Sequence, residues 1–195
     1  MIISFLLSIF ILPLLGYLDY KPKEGDIIFQ SLPLGELTKV IEGATESPYS
    51  HTGLIVKKNN TWYVREAILT VHDTHLYWWI LRGRNNKFSV YRLKKTYQKY
   101  TKKFVKNSEV FLKKPYDFFY ELSDEAIYCS ELIFKAYKLA SGKDMGKLTT
   151  LGALNWKPYK EFILSVENKI PLDRVMITPK DLAEAEQLEE IYSNY

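Results

Sequence analysis

Two β-rich runs, residues 51–56 and 62–68, are joined by a short polar segment that contains Asn59 and Asn60. Asparagine tolerates the left-handed backbone conformations that a two-residue hairpin loop requires. The sequence therefore predicts an antiparallel hairpin, and this hairpin fixes which side chains of the two strands share a face.

With Asn59 and Asn60 as the loop, Gly53 lies opposite Glu66, and His51 is a diagonal neighbour of Glu66 on the same face. Diagonal neighbours on adjacent strands are about 7 to 8 Å apart, close enough for a carboxylate to reach an imidazole. Arg65 points to the opposite face in this register. Glu66 is therefore predicted to pair with His51.

The rest of the chain alternates short apolar runs with helical periods and has no internal repeat, which indicates a single α+β domain over residues 19–195. Further strands are predicted at 27–29 and 87–93. Helices are predicted at 35–41, 94–112 and 129–140, and from Thr178, a capping residue followed by Pro179, to about Tyr192.

The first fifteen residues are almost continuously apolar, a length shorter than the roughly twenty residues of a membrane span. Residues 1–18 are therefore predicted to be a signal peptide, with an uncleaved membrane anchor as the alternative. Either form predicts export to the cell envelope, periplasmic or extracellular, close to a membrane.

The charge balance excludes one class of partner. The chain has 27 basic and 23 acidic residues, a formal net charge of +4 without a dense basic stripe, so nucleic acid is not an expected ligand. The 15 tyrosines and 4 tryptophans are more than a small core requires, and most of them are expected to be packing residues. A substrate cleft is the alternative role, for which residues 77–79 (Tyr-Trp-Trp) are candidates.

Cys129 is the only cysteine, and it stands at the front of an apolar helical run. A thiol becomes a useful nucleophile when a base and a favourable local field stabilise the thiolate. His51 would supply the base, and backbone dipoles at a helix N-terminus would supply the field and an oxyanion hole. Residues 123–125 could also cap an earlier helix start, which would weaken the dipole effect.

Five short motifs in this order carry a family resemblance: residues 25–29 (Gly-Asp-Ile-Ile-Phe), 50–54 (Ser-His-Thr-Gly-Leu), 65–67 (Arg-Glu-Ala), 115–117 (Pro-Tyr-Asp) and 128–132 (Tyr-Cys-Ser-Glu-Leu). Together they resemble the YiiX/YebB-like branch of the NlpC-type cysteine hydrolases, which are similar to lecithin retinol acyltransferase-like enzymes. The resemblance implies a circularly permuted papain-like α+β fold, with an antiparallel sheet packed against the nucleophile helix and flanking helices.

The resemblance also implies roles for individual residues. Cys129 would be the nucleophile, His51 the general base and later acid, and Glu66 the residue that orients the imidazole. Tyr116, thirteen residues before the cysteine, looks like the tyrosine that stabilises the oxyanion in unpermuted relatives.

The segment His72-Asp73-Thr74-His75 contains residue types that bind metals. A stable site needs three or four converging ligands, and the sequence near this segment offers no second cysteine or third histidine, so a polar helix start is favoured there. The chain also lacks phosphate-loop and dinucleotide fingerprints. No metal and no organic cofactor are predicted.

The expected activity is hydrolysis of peptide or isopeptide bonds of the cell envelope through a Cys-His-Glu triad and an acyl-enzyme. A lipid acyl hydrolase or acyltransferase is the first alternative, encouraged by the aromatic run at 77–79 and by the leader. A binding module that keeps the scaffold without turnover is the second, and intact Cys129, His51 and Glu66 argue against it.

Overall fold

The computed structural model describes residues 19–195. The predicted leader, residues 1–18, lies outside the described residues. None of the helices in the described part of the chain has the length and apolar character needed to cross a lipid bilayer.

Six strands of the described region form one antiparallel sheet, in the order β4-β3-β2-β1-β5-β8. The strands are β1 Ile27–Gln30, β2 His51–Lys58, β3 Thr61–Ile68, β4 Thr70–His75, β5 Phe88–Leu93 and β8 Leu188–Ser193. Two further short strands, β6 Thr149–Thr150 and β7 Val175–Met176, form a separate pair.

The predicted hairpin is confirmed. Asn59 and Asn60 form its loop with φ values of 46° and 62°, and Leu54 lies opposite Arg65, which is the predicted register. Gly53 is required at its position, because a Cβ there would lie 2.3 Å from Cγ1 of Val64. Asn59 and Asn60 thus set the register of the hairpin, and Gly53 allows its two strands to pack closely at that position.

The α-helices are α1 Glu36–Thr45, α2 Leu76–Arg82, α3 Thr101–Asn107, α4 Cys129–Ser141, α5 Lys160–Glu167 and α6 Pro179–Ala183. Helix α4 ends at Gly142, whose φ of 72° suits a residue without a side chain. Its apolar stripe, including Leu132, Ile133 and Ala136, is buried against the strand residues Phe29 and Leu54. The fold is therefore α+β, with an antiparallel sheet packed against the helix that begins at Cys129, as predicted.

Three sequence predictions differ from the structure. The helix expected from Thr178 to Tyr192 ends at Ala183, and Leu188–Ser193 form strand β8 instead. The helix expected over 94–112 is an α-helix only at 101–107, with 3-10 turns on both sides. The polar segment 72–75 belongs to strand β4, although His75 does cap helix α2 by accepting a hydrogen bond from the Tyr77 N–H.

Strand β8 forms because it pairs with the distant strand β5, and its own sequence does not predict this pairing. Residues 183–190 are rich in Ala, Glu and Gln, which favour a helix. Strand β5 presents a free edge, however, and β8 satisfies its backbone groups with Leu188 opposite Leu93 and Tyr192 opposite Val90. The Tyr192 ring also stacks on Phe88 with 4.8 Å between centroids.

Candidate active site

Cys129 is the first residue of helix α4. Tyr128, in extended conformation, is the N-cap, and its N–H donates to the Glu131 carboxylate at 3.2 Å. The N–H groups of a first helical turn have no partner within the helix and favour negative charge. The structure thus places the thiol in the first turn and excludes an earlier start of this helix at 123–125.

The start of α4 is clamped to a segment near the C-terminus. The Tyr128 hydroxyl accepts a hydrogen bond from the Ile177 N–H at 3.0 Å, and the Ser130 hydroxyl donates to the Ile177 carbonyl at 2.8 Å. All three residues are buried. These two bonds flank Cys129 and fix the direction of its helix.

His51 lies at the beginning of β2 and is 2% exposed. Its Nε2 is 2.5 Å from Oε2 of Glu66, and its ring stacks on Trp79 with 6.0 Å between centroids. Burial alone lowers the pKa of His51, but hydrogen bonds with Cys129 and Glu66 outweigh burial and raise it to about 9. The structure therefore brings Cys129, His51 and Glu66 together.

Glu66 is fully buried and is held by three further side chains. Thr74 donates to Oε1 at 2.5 Å, Trp79 Nε1 donates to Oε2 at 3.0 Å, and Arg82 also donates to Oε2. Burial raises the pKa of Glu66, but hydrogen bonds from His51 and Arg82 outweigh it and lower the pKa to about 2. The carboxylate is thus ionised and fixed in direction.

Sequence reasoning missed Thr74, Trp79 and Arg82. Trp79 and Arg82 are three residues apart on helix α2, so they share a face, and Thr74 lies beside Glu66 once β4 is recognised as a strand. The signal is therefore present in the sequence, but it emerges only when the segment before α2 is recognised as a strand and not as the start of a helix.

We expect Arg82→Ala to lower the free energy of unfolding by about 2 kcal/mol at neutral pH, the usual contribution of a hydrogen bond to a charged group. The pKa of Glu66 is lowered in the folded protein, so its contribution to stability is present above the unfolded value, about 4.5, and is lost as pH falls towards 2. The deficit of Arg82→Ala should therefore shrink between pH 4.5 and 2, as measured by urea unfolding. Arg82→Lys should retain part of the contribution, and an Arg82→Ala deficit independent of pH would contradict this assignment.

Two tyrosines lie near the thiol. The Tyr116 hydroxyl is 3.1 Å from the Tyr120 hydroxyl, and the Tyr120 ring packs on that of Tyr128 with 5.0 Å between centroids. Of the two, Tyr120 lines the cavity that reaches Cys129. The oxyanion role expected of Tyr116 stays a prediction.

The cavity at Cys129 has a volume of about 270 Å³ and is mostly apolar. Its lining includes Leu37, Val40, Ile41 and Ala44 of α1, Phe162, Ile163 and Val166 of α5, and the loop residues Phe118, Phe119 and Tyr120. The two charged residues in its wall, Glu167 and Arg174, pair with each other. The aromatic residues 77–79, the cleft candidates of the sequence, do not line this cavity, and Trp79 is fully buried against His51.

The histidines considered for a metal site have other partners. His72 Nδ1 is 2.9 Å from the Thr70 carbonyl, and His75 caps helix α2. Within residues 19–195, no group of three or more His, Cys, Asp or Glu side chains is placed to hold a metal ion.

Comparison with known proteins assigns the chain to a family. Residues 21–192 match the family described as permuted papain-like amidase enzyme, YaeF/YiiX, C92 family. The chain belongs to this family. It is accordingly a cysteine hydrolase of the amidase type with a permuted papain-like fold.

Two relatives support this membership. The uncharacterized protein YiiX of Escherichia coli K12 is 35% identical over 181 residues, which cover 87% of this chain and 85% of the relative. A crystal structure described as the metalloprotein yiiX from Escherichia coli O157:H7 has a TM-score of 0.82 and 33% identity, covering 90% of this chain and 99% of that structure.

Proposed function

We propose that this amidase-family member cleaves its substrate through a Cys129-His51-Glu66 triad and an acyl-enzyme. The observation that carries the proposal is the buried contact of 2.5 Å between His51 and Glu66, beside a cysteine in the first turn of a helix. In this arrangement the imidazolium and the helix N-terminus both stabilise a thiolate.

In the proposed reaction, the Cys129 thiolate attacks the substrate carbonyl and forms a tetrahedral intermediate. As the intermediate collapses, the bond to the leaving nitrogen breaks, and His51 donates its proton to the departing amine. His51 then takes a proton from water, whose hydroxide attacks the thioester and releases the acyl group as a carboxylic acid.

Glu66 orients the imidazole for both proton transfers. Its carboxylate is bound to Nε2 of His51, which leaves Nδ1 for the sulfur and the leaving group. The hydrogen bonds from Thr74, Trp79 and Arg82 keep the carboxylate from rotating away. This support is the role expected of the third member of such a triad.

We place the substrate in the cell envelope. The support is the apolar leader in residues 1–18, which predicts export. Amide bonds accessible to an exported amidase include peptide and isopeptide bonds of envelope polymers. This location and substrate class are the first candidate.

A lipid acyl hydrolase or acyltransferase is the second candidate, and the cavity favours it. A peptide substrate would present many polar groups, whereas the walls next to Cys129 come mainly from aliphatic and aromatic side chains. Burying a polar group without a partner is costly. The acyl half of the substrate is therefore better matched by an apolar chain than by a charged peptide.

The two candidates can be separated with fluorogenic amides. We expect the full chain to hydrolyse either an octanoyl amide or a short alanyl-peptide amide and to accumulate a mass adduct on Cys129. A higher kcat/KM for the octanoyl amide supports the lipid acyl hydrolase, the second candidate. A higher kcat/KM for the alanyl-peptide amide supports the envelope amidase, the first candidate. Rapid alkylation of Cys129 by iodoacetamide without an acyl adduct or turnover from any amide would instead indicate a binding module.

The role of the cavity gives a further prediction. Val40→Trp should fill part of the cavity and reduce hydrolysis of the octanoyl amide about tenfold relative to an acetyl amide, because the longer chain loses its site. Lys39→Trp is the matched control, since Lys39 is on the same helix with its side chain 55% exposed, and it should change neither rate. An equal decrease in the hydrolysis rates of the octanoyl and acetyl amides in Val40→Trp would show that the acyl chain does not enter this cavity.

A further inference from the structure

The loop before the nucleophile helix holds one tyrosine in an unusual conformation. The buried Asp117 carboxylate accepts hydrogen bonds from the N–H groups of Phe119 at 2.8 Å and Glu121 at 2.6 Å. Between these two residues, Tyr120 has a φ of 57°, in the left-handed region that side-chain-bearing residues rarely adopt. Such strain is kept where the surrounding structure enforces it, often at functional sites.

Tyr120 contacts the nucleophile helix and also lines the cavity at Cys129. Its ring packs on Tyr128, the residue directly before Cys129, and it lines the same cavity as Cys129. Tyr120 is therefore a wall residue of the cavity through which a substrate would approach the sulfur.

Tyr116 lies behind Tyr120 as its hydrogen-bond partner. Their hydroxyl oxygens are 3.1 Å apart, and their rings are nearly perpendicular. Burial raises the pKa of both phenols, and the nearby Cys129 charge raises both further. Both phenols therefore keep their protons at neutral pH and are able to donate a hydrogen bond.

We propose that Tyr120 is a catalytic residue whose hydroxyl donates a hydrogen bond to the oxyanion formed from the substrate carbonyl, while the Tyr116 hydroxyl donates to Tyr120. This inference rests on the proposed function. It makes Tyr116, the tyrosine expected to contact the oxyanion, a positioning residue. A donor that itself accepts a hydrogen bond is polarised and becomes stronger.

The Tyr120 hydroxyl would add a side-chain donor to the backbone donors at the start of helix α4. The N–H groups in the first turn of α4 supply one side of an oxyanion hole, and a phenol from the loop supplies the other. Two convergent donors of different origin are a common design for stabilising a tetrahedral intermediate.

The test compares two reactions of Cys129, only one of which forms an oxyanion. Acylation by p-nitrophenyl acetate passes through an oxyanion, whereas alkylation by iodoacetamide does not. In the full chain, Tyr120→Phe should slow acylation about 100-fold, the usual cost of losing one oxyanion donor, and change alkylation less than about twofold. A merely structural role would change both rates together.

Two other phenylalanine variants sharpen the test. Tyr116→Phe should slow acylation about tenfold, and the double variant should be no slower than Tyr120→Phe alone, because Tyr116 acts through Tyr120. Tyr128→Phe is the matched control, because it removes a buried hydroxyl that accepts a hydrogen bond from the Ile177 N–H. It should change the rates of acylation and alkylation by the same factor.

Three outcomes contradict the inference. An unchanged ratio of acylation to alkylation in Tyr120→Phe removes Tyr120 from the mechanism. A larger loss in Tyr116→Phe than in Tyr120→Phe makes Tyr116 the direct donor. A wild-type Cys129 that is alkylated but never acylated overturns the proposed function itself, and the Tyr120 inference with it.

Discussion

Cys129→Ser should lower kcat/KM for amide hydrolysis at least about 1,000-fold and leave the fold intact. A serine hydroxyl at neutral pH is much less ionised and less nucleophilic than a thiol, and a site arranged to stabilise a thiolate does not compensate for this. The substitution exchanges one atom at a position that is 2% exposed and opens no large cavity. Steady-state kinetics with a fluorogenic amide, together with the melting temperature, measures both parts of this expectation.

The acyl adduct on the protein provides an independent readout. Intact-mass measurement should show the adduct on wild-type protein and on Ser141→Ala, in which a hydroxyl at the far end of the same helix is removed. It should be absent from Cys129→Ser. Retention of most of the turnover in Cys129→Ser would place the nucleophile elsewhere.

Glu66→Gln should lower kcat/KM at least about 100-fold at neutral pH and move the alkaline limb of its pH profile to lower pH. His51 must be protonated to donate to the leaving amine, and its pKa of about 9 places the loss of activity in wild type near that pH. Glu66 raises the pKa of His51 through a hydrogen bond and through its charge. Removing the charge allows the imidazolium to lose its proton earlier as pH rises.

Asp73→Asn is the matched control for this variant. Asp73 is a largely buried carboxylate on the neighbouring strand, paired with Arg65 at 2.8 Å and not bonded to His51. Its substitution should leave the alkaline limb at the wild-type position, measured as kcat/KM from pH 5 to 10.5. An alkaline limb that stays unchanged in Glu66→Gln would remove Glu66 from the control of His51.

The part of the site that sequence could predict is the part built by local structure. Asn59 and Asn60 fix the hairpin, and the hairpin fixes the alignment of its strands, so the approach of His51 to Glu66 followed from turn chemistry and side-chain alternation. The helical stripe after Cys129 was equally local, because its apolar spacing and Gly142 define where the helix runs and ends.

The part that sequence missed depends on contacts between distant segments. Strand β8 forms because β5 offers an unpaired edge, which overrides a helical composition at 183–190. The φ of Tyr120 depends on an Asp117 carboxylate that binds two N–H groups of its own loop. The cavity combines α1, α5 and the loop at 118–120, and no pattern within any one of them encodes its shape.

The clamp between Ile177 and the residues on either side of Cys129 bears on how the enzyme matures. A chain leaves the ribosome from its N-terminus, so the hairpin with His51 and Glu66 emerges long before Ile177. Until Ile177 binds Tyr128 and Ser130, the helix start lacks two of the bonds that direct the thiol. The alignment of the thiol therefore depends on a segment that is synthesised after it, and it is complete only once Ile177 has docked on the start of the helix.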